Sequence, residues 1–257
     1  MSLMITVQIA AAVNVKIDGV DFSDAKLVDS VTYVPIRAFS NEFVAPSVNW
    51  NSKTRTATVT SDNLHVSAQA GEKYINGNER IIYSGNRNLV IDGTMYVPVR
   101  SIAKTMGASV SWDSKTRTAH VASDTETFRS ADEFYNWNDL YWLAKIINAE
   151  SEGESLEGKI AVGNVVMNRV SSTEFPNNIY DVIFDRKGGV QFTPVANGSI
   201  NKYPGSDSFL AAKICLENYK LSDKEILFFL NPAISTSSWV PNNRDFVMSI
   251  GNHDFYA

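Results

Sequence analysis

The chain has 257 residues, enough for about two domains, and its 44% hydrophobic and 20% charged residues exclude wholesale disorder. No apolar run reaches the roughly 18 residues of a membrane helix, and a single cysteine, Cys215, with three scattered histidines argues against an intrachain disulfide or a histidine–cysteine zinc centre. Residues 1–122 carry 12 Lys and Arg against 10 Asp and Glu, and residues 123–257 carry 11 against 18, so the net charge of −5 sits in a second half that is ill suited to nucleic acid.

Met1 to Val13 has no Lys or Arg ahead of its apolar residues and is interrupted by Gln8, so it reads as a strand over Ile5 to Ile9 and not as a signal peptide. Two later segments repeat each other. Thr32-Tyr33-Val34-Pro35-Ile36-Arg37 returns as Met95-Tyr96-Val97-Pro98-Val99-Arg100. Val48-Asn49-Trp50-Asn51-Ser52-Lys53-Thr54-Arg55-Thr56-Ala57 returns as Val110-Ser111-Trp112-Asp113-Ser114-Lys115-Thr116-Arg117-Thr118-Ala119. The offset is 63 residues before Phe43-Val44-Ala45-Pro46 and 62 after it, the mark of a duplication. In each copy the proline opens a helix; in the second, Val99, Ile102, Ala103 and Met106 keep helical spacing and Gly107 ends it. Ser109 to Trp112 and Arg117 to Val121 read as strands, and Asp18-Gly19, Asn76-Gly77 and Asp92-Gly93 as hairpin turns. Trp50 and Trp112 could be sugar-stacking platforms, but their shared repeat position reads as core. His65 and His120 stand alone on strands, whereas copper would need several converging imidazoles. The repeats resemble the copper amine oxidase N-terminal-like domain over roughly residues 5–122. That resemblance implies a non-catalytic appendage of secreted and wall-associated bacterial proteins, serving as wall binder or spacer, without copper.

Residues 123–136 read as a linker closing on a helical turn, with Ser130 and Glu133 as a capping box. From Asn138 the period becomes helical. Leu140, Leu143, Ile146 and Ile147 form one face of a helix running to Glu150 and ending near Gly153. A second helix, capped by Ser155, ends near Asn168-Arg169-Val170, and a third spans Ile179 to Phe184. A Gly-rich turn then leads into Gln191-Phe192. A fourth helix, Ser206 to Lys220, places Cys215 as a buried thiol, and from Asn231 the chain reads as irregular. The expected fold class is α+β: a strand-rich duplicated domain over 1–122 with one helix per repeat, then a mainly α-helical domain over 137–257.

No Gly-x-Ser-x-Gly elbow is present and His253 is the one histidine of the second half, which disfavours serine hydrolysis. Carboxylates are left: Glu150, Glu152, Glu154 and Glu157. Glu150 follows the buried stripe, sits at the negative end of its helix and has like charges within four residues. All three disfavour its ionised form, and a protonated carboxyl is what a general acid for a glycosidic oxygen requires. A solvated acidic helix end is the competing reading.

Trp142-Leu143-Ala144, Ala149-Glu150-x-x-Gly153-Glu154, Glu157-Gly158-x-x-Ala161-Val162, Asn168-Arg169-Val170, Phe175-Pro176, Val182-Ile183, Gln191-Phe192, Phe229-x-Asn231-Pro232 and Ile250-Gly251-Asn252-His253-Asp254-Phe255-Tyr256 follow one another over more than 110 residues. In this order they resemble the SleB-type cell wall hydrolases, which include spore cortex-lytic enzymes. The resemblance implies a lysozyme-like fold, peptidoglycan as partner, no cofactor or metal, and Glu150 as catalytic acid. It implies cleavage between N-acetylmuramic acid and N-acetylglucosamine with 1,6-anhydromuramyl ends. The alternatives are a hydrolytic muramidase or glucosaminidase using the same Glu150, or a non-catalytic wall-binding protein. Gln191, Phe192, Tyr203, Asn231, Trp239 and Tyr256 are the expected groove residues, and Glu154, Asn168, Arg169 and His253 the expected supports. For Asp181, Asp185 and Asp207, periodicity gives no reason to face the cleft. Glu152 stands where the family usually carries a basic residue, and the duplicated domain stands where spore enzymes carry a peptidoglycan-binding module. An extracytoplasmic, wall- or spore-associated protein whose leader has been removed is expected.

Overall fold

The two Tyr-Val-Pro motifs meet each other in the folded chain. The computed structural model describes residues 13–123, 127–236 and 238–257; the strand expected over Ile5 to Ile9 lies outside these residues. Contacts divide the chain into two units, Met1–Glu133 and Phe134–Ala257. No helix among the described residues is long and apolar enough to cross a membrane.

In the first unit a hairpin of β1 (Asn14–Ile17) and β2 (Val20–Phe22) leads into β3 (Lys26–Val28), β4 (Val31–Pro35), α1 (Ile36–Asn41), β5 (Ser47–Asn51) and β6 (Thr56–Ser61). The series then recurs as β7 (Leu64–Gln69), β8 (Tyr74–Gly77), β9 (Arg80–Tyr83), β10 (Leu89–Ile91), β11 (Thr94–Pro98), α2 (Val99–Thr105), β12 (Ala108–Asp113) and β13 (Thr118–Ser123). Strand β4 pairs antiparallel with β11, placing Tyr96 opposite Pro35, Val97 opposite Val34 and Pro98 opposite Tyr33. A motif paired with its own copy in this register makes a local two-fold arrangement, and Val34 and Val97 at its centre are fully buried. The remaining sheets also draw on both copies. Strand β1 adds in parallel to β13, giving the order β12-β13-β1-β2, and β5 to β9 form one five-stranded sheet. The main core, including Phe39, Val59, Val66, Ile75 and Ile102, draws on all three sheets, and a smaller cluster of Val28, Tyr33 and Tyr96 lies beside β3 and β10.

The repeated Tyr-Val-Pro-x-Arg motif has a mechanical reason at its arginine. Arg37 donates to the Val48 carbonyl (3.0 Å) and Arg100 to that of Val110 (2.8 Å), tying each helix to the hairpin after it. Asp18-Gly19 and Asp92-Gly93 have positive φ at both residues, as the tightest hairpin turns require. Asn76-Gly77 corrects the sequence reading: it lies within β8, and the turn is made by Asn78-Glu79, both at positive φ. Gly77 is needed for close approach instead, since a Cβ there would sit 2.7 Å from Thr105 Cγ2. A second correction concerns the tryptophans, which are not core. Trp50 is 47% exposed and Trp112 43% exposed. Each lies near the end of an edge strand, opposite Ala57 or Ala119, so its indole overhangs the small residue and leaves the sheet's cover. Duplication preserves a rim position as faithfully as a core one.

Residues 127–133 lie on this unit. Asn78 Nδ2 donates to the Phe128 carbonyl (3.2 Å), the Asn78 carbonyl accepts from Ala131 N (2.9 Å), and the Arg80 guanidinium stands 4.1 Å from the Phe128 ring centroid. The glutamate half of the capping box forms, with Glu133 accepting from Ser130 N and Oγ, ahead of the short helix α3 (Ala131–Phe134).

The second unit comprises α4 (Trp137–Ser151), α5 (Leu156–Ser171), α6 (Ile179–Phe184), α7 (Thr193–Asn197), α8 (Ser206–Leu216), β14 (Phe228–Leu230), α9 (Trp239–Asn243), β15 (Phe246–Ile250) and β16 (His253–Tyr256). Leu140, Leu143, Ile146 and Ile147 of α4 are buried with Ile160 of α5 and Ile214 of α8. Cys215 is buried in that core, and burial pushes its thiol pKa up. Helix α8 stops at Leu216 rather than Lys220 because Asn218 turns to positive φ. The chain after it is held by Asn164 of α5, which donates to the Tyr219 carbonyl (2.8 Å) and accepts from Leu221 N (3.0 Å). The tail expected to be irregular is an antiparallel sheet in the order β14-β16-β15. Its strands are three to five residues long and β15 carries a bulge, which hides the alternation that marks a strand.

Because each copy completes the other's sheets, a fragment ending at Ser123 should melt cooperatively, whereas one ending at Asn63 should not fold. Circular dichroism melts of the two fragments check this; equal cooperativity in both would contradict the shared core.

Candidate active site

Helix α4 starts where the Asn136 side chain accepts from Asn138 N (3.0 Å) and Asp139 N (3.3 Å), with Asp139 in the favourable first turn. One turn beyond Ile146 and Ile147 the same face presents Glu150, which is partly buried. Among the described residues no donor hydrogen-bonds its carboxylate. Burial pushes its pKa up to about 7, and the positive charge of Arg169 opposes the rise.

The helix end is fixed by a lysine that sequence reasoning did not single out. Lys159 of α5 is buried and its Nζ donates to the carbonyls of Glu152 (3.0 Å), the C-cap of α4, and of Glu154 in the turn that follows. A lysine inside an apolar helical stretch is the available signal. Ser155 caps α5 by accepting from Gly158 N (3.2 Å).

Glu154 points away from this chemistry. Its carboxylate accepts from Asn252 Nδ2 (2.8 Å) and Asn252 N (3.3 Å), and lies 3.8 Å from His253 Nδ1. Gly251, at positive φ, passes so close that any side chain there would strike the carboxylate. The Gly-Glu motif after α4 and the Gly-Asn-His motif near the C-terminus are therefore one contact, 98 residues apart in sequence. His253 also packs its ring against Phe229 at 5.4 Å, and burial lowers its pKa while Glu154 opposes the change.

Asn168 and Arg169 act from the end of α5. Asn168 Nδ2 donates to the Ile226 carbonyl (3.0 Å) and Arg169 Nε to that of Leu227 (2.8 Å), aligning the segment that enters β14. The Arg169 residue is only 4% exposed. Its guanidinium lies 4.8 Å from the ring centroid of Phe175, 5.1 Å from Phe192 and 5.4 Å from Phe228. Burial lowers its pKa to about 10, with Asp185 and Glu150 opposing. Its Nη1 has no hydrogen-bond partner among the described residues.

The predicted groove residues divide. Phe192 is buried against Arg169, and Trp239 is half exposed with its ring 6.0 Å from Phe228, so both belong to the aromatic cluster around the guanidinium. Arg244, unnoticed in the sequence, adds a second guanidinium 4.5 Å from Phe228. Tyr203 is 78% exposed, next to Lys202, whose Nζ is 3.5 Å from Glu152. Gln191 Nε2 donates to the Lys187 carbonyl (2.9 Å) of its own Gly-rich turn. Asn231 Oδ1 accepts from Ala233 N (2.9 Å), and Tyr256 is buried in β16 against Phe246. Of the three aspartates, Asp185 acts on Arg169, whereas Asp181 accepts from Asn178 (2.7 Å) and Asp207 lies in the first turn of α8.

No group of three or more His, Cys, Asp or Glu among the described residues could hold a metal ion, and His65 and His120 lie on different sheets. This donor set does not fit copper.

Residues 153–256 match the family described as Cell Wall Hydrolase, and residues 15–121 the Copper amine oxidase N-terminal domain. Glu150 lies just ahead of the first match. The chain is 35% identical over 118 residues to the spore cortex-lytic enzyme of Bacillus subtilis (strain 168), covering 46% of this chain and 37% of that one. It is 34% identical over 121 residues to the enzyme of Bacillus cereus, covering 47% and 45%. It thus spans less than half the length of these curated relatives. Among solved structures it is 33% identical to the catalytic domain of the germination-specific lytic transglycosylase SleB from Bacillus anthracis, covering 48% of this chain and 97% of that one with a TM-score of 0.43. The catalytic domain of the Bacillus cereus SleB protein matches with the same identity and TM-score, over 92% of its length.

The raised pKa makes a stability prediction. Below the ordinary value of 4.5 the Glu150 carboxyl is neutral folded or unfolded, so its burial carries no charge penalty. As pH rises toward about 7 the unfolded chain ionises first, and stability falls by this contribution until both forms are ionised. Glu150→Gln removes that loss. The helical unfolding transition of the variant should match the parent at pH 4 and lie higher at pH 8, by ~2–4 °C for each kcal/mol recovered. Equal melting points at pH 8 would contradict the burial of the charge.

Proposed function

We propose that this chain, which belongs through its second half to the cell wall hydrolase family, cleaves the glycan strands of peptidoglycan between N-acetylmuramic acid and N-acetylglucosamine, with Glu150 as the single general acid and base. The observation that carries this reading is a partly buried carboxyl at the end of α4, in the field of Arg169, whose pKa is pushed up to about 7 by burial. The relatives' printed names, spore cortex-lytic enzyme and lytic transglycosylase, agree with it.

Protonated Glu150 gives its proton to the glycosidic oxygen as the bond to the muramyl C1 breaks. The carboxylate left behind then takes the proton of the muramyl 6-hydroxyl, whose oxygen closes on C1. One residue serves both steps, and the nucleophile is already tethered to the reacting ring. The product ends are 1,6-anhydromuramyl. Arg169 offsets part of the cost of the ionised intermediate state, Trp239 supplies apolar surface to the sugar faces, and Phe192, the other expected groove residue, acts from beneath by packing on the Arg169 guanidinium. Gln191, Tyr203, Asn231 and Tyr256 are proposed as groove residues of lesser weight, since Gln191, Asn231 and Tyr256 are engaged in their own loops and strands. Glu154, Asn168 and His253 are positioning residues. Residues 1–122, with 12 Lys and Arg against 10 Asp and Glu, serve as the wall anchor, and the protein acts outside the cytoplasm.

A hydrolytic route is the second reading, favoured by one observation: Asp185 shares the field of Arg169 with Glu150. It would need that carboxylate to activate a water.

Three outcomes are expected. Glu150→Gln should lower the rate of sacculus digestion ~10²–10⁴-fold without loss of fold. Parental activity should fall as pH rises through about 7, where the proton donor is lost. Mass spectrometry of unreduced muropeptides should give ends lighter by one water than hydrolysed ends. Reducible ends throughout, abolished by Asp185→Asn, would establish the hydrolytic route instead.

A further inference from the structure

The exposed Trp50 borders a cleft of about 480 Å³ in the first unit, within the roughly 300–1,000 Å³ usual for small-ligand sites. Its floor is apolar, with Pro35, Ile36, Ala57 and Met95. Its rim carries Arg37, Asp24 and Asn49, all exposed. Both copies of the duplication build it, since Gly93 to Tyr96 close the side facing Trp50.

The internal repeat separates the cleft residues that both copies keep from those that differ between them. Arg37 and Trp50 recur as Arg100 and Trp112, and the arginine bond to the hairpin carbonyl is made in both copies. The other rim residues diverge. At the 63-residue offset Asp24 becomes Arg87, and at the 62-residue offset Asn49 becomes Ser111. Arg87 donates to the Gly71 carbonyl (2.8 Å). Only the first copy thus sets a carboxylate and an amide around a half-open indole. An aromatic face takes the C–H face of a sugar, a carboxylate and an amide take hydroxyl and acetamido groups, and an arginine takes a carboxylate.

We infer that the Trp50 cleft is a glycan-binding site for the N-acetylated, carboxylate-bearing sugar strand of peptidoglycan, separate from the cleavage site. The naming of the strand rests on the function proposed above; the site rests on the cleft and on the divergence of the copies. Trp50 supplies the stacking surface, Arg37 faces the carboxylates with the N–H groups not used on Val48, and Asp24 and Asn49 bind the sugar's polar edge.

The test uses the full chain carrying Glu150→Gln, so that binding is read without turnover. Sedimentation with purified sacculi, stripped of attached anionic polymers, should give about tenfold weaker binding for Trp50→Ala, the loss of one aromatic anchor. Trp50→Phe should recover part of it, and Trp112→Ala should bind within about twofold of the parent. Because both indoles are exposed, melting points should stay at the parental value and certify the fold. Unchanged binding by Trp50→Ala would overturn the site. So would a larger loss from Trp112→Ala, or binding seen only on sacculi that keep their anionic polymers. Digestion by the chain with Glu150 intact is scored separately: Trp50-dependent binding without digestion would sink the proposed reaction and leave the glycan site standing.

Discussion

A guanidinium buried among three phenyl rings organises the second unit. Arg169 keeps its charge at ordinary pH even with its pKa lowered to about 10, so the fold has to surround it with compensating groups. These come from distant parts of the chain: the Leu227 carbonyl ahead of β14, the field of Asp185 after α6, and that of Glu150 at the end of α4. One charge therefore sets the path of the strand segment and also moderates the acid. Were Glu150 to close an ion pair with Arg169 its pKa would drop into the usual carboxylate range. With burial alone the carboxyl would rise further. The value of about 7 is the balance between the two.

Around that balance the polar residues of α5 do structural labour. Asn164, Asn168 and Arg169 bind main-chain groups between Tyr219 and Leu227, and Lys159 binds the carbonyls at the end of α4. All four are buried or nearly so. A buried polar side chain that satisfies an otherwise unpaired main-chain group adds specificity as well as stability, since a shifted register would leave both groups unpaired. The Glu154 contact with Asn252 does the same between the α4–α5 turn and the β15–β16 hairpin. Glu150 is thus held at a helix end that is itself held from two directions.

The first unit solves a different problem. Neither copy of the repeat has enough strands to cover its own apolar face, and the copies finish one another through the β4–β11 and β1–β13 pairs. The self-paired Tyr-Val-Pro strands tolerate little change because Val34 and Val97 meet at the centre. Rim residues such as Asp24 and Arg87 are under no such constraint, and there the two copies have drifted apart.

Much of this was legible in the sequence. The duplication, the helix per copy, the Ser155 cap, the apolar stripe of α4 and the placing of Glu150 at its end all depend on neighbours within a few turns, and local spacing carries that information. The Asp-Gly turns were legible for the same reason, whereas Asn76-Gly77 was misread because a glycine needed for packing against Thr105 looks identical to one needed for a turn. Trp50 and Trp112 were misplaced because repeat position does not distinguish a core from a rim. The short strands of the tail were invisible because β14 finds its partner β16 more than twenty residues away. The sequence by itself determined the helices of both halves, the duplication and the acid at the end of α4. The tertiary structure alone decided that acid's protonation, by burying it and setting the charge of Arg169 from α5 against that burial, and it alone joined Glu154 to Asn252, since burial and field depend on distances in space that no spacing along the chain encodes.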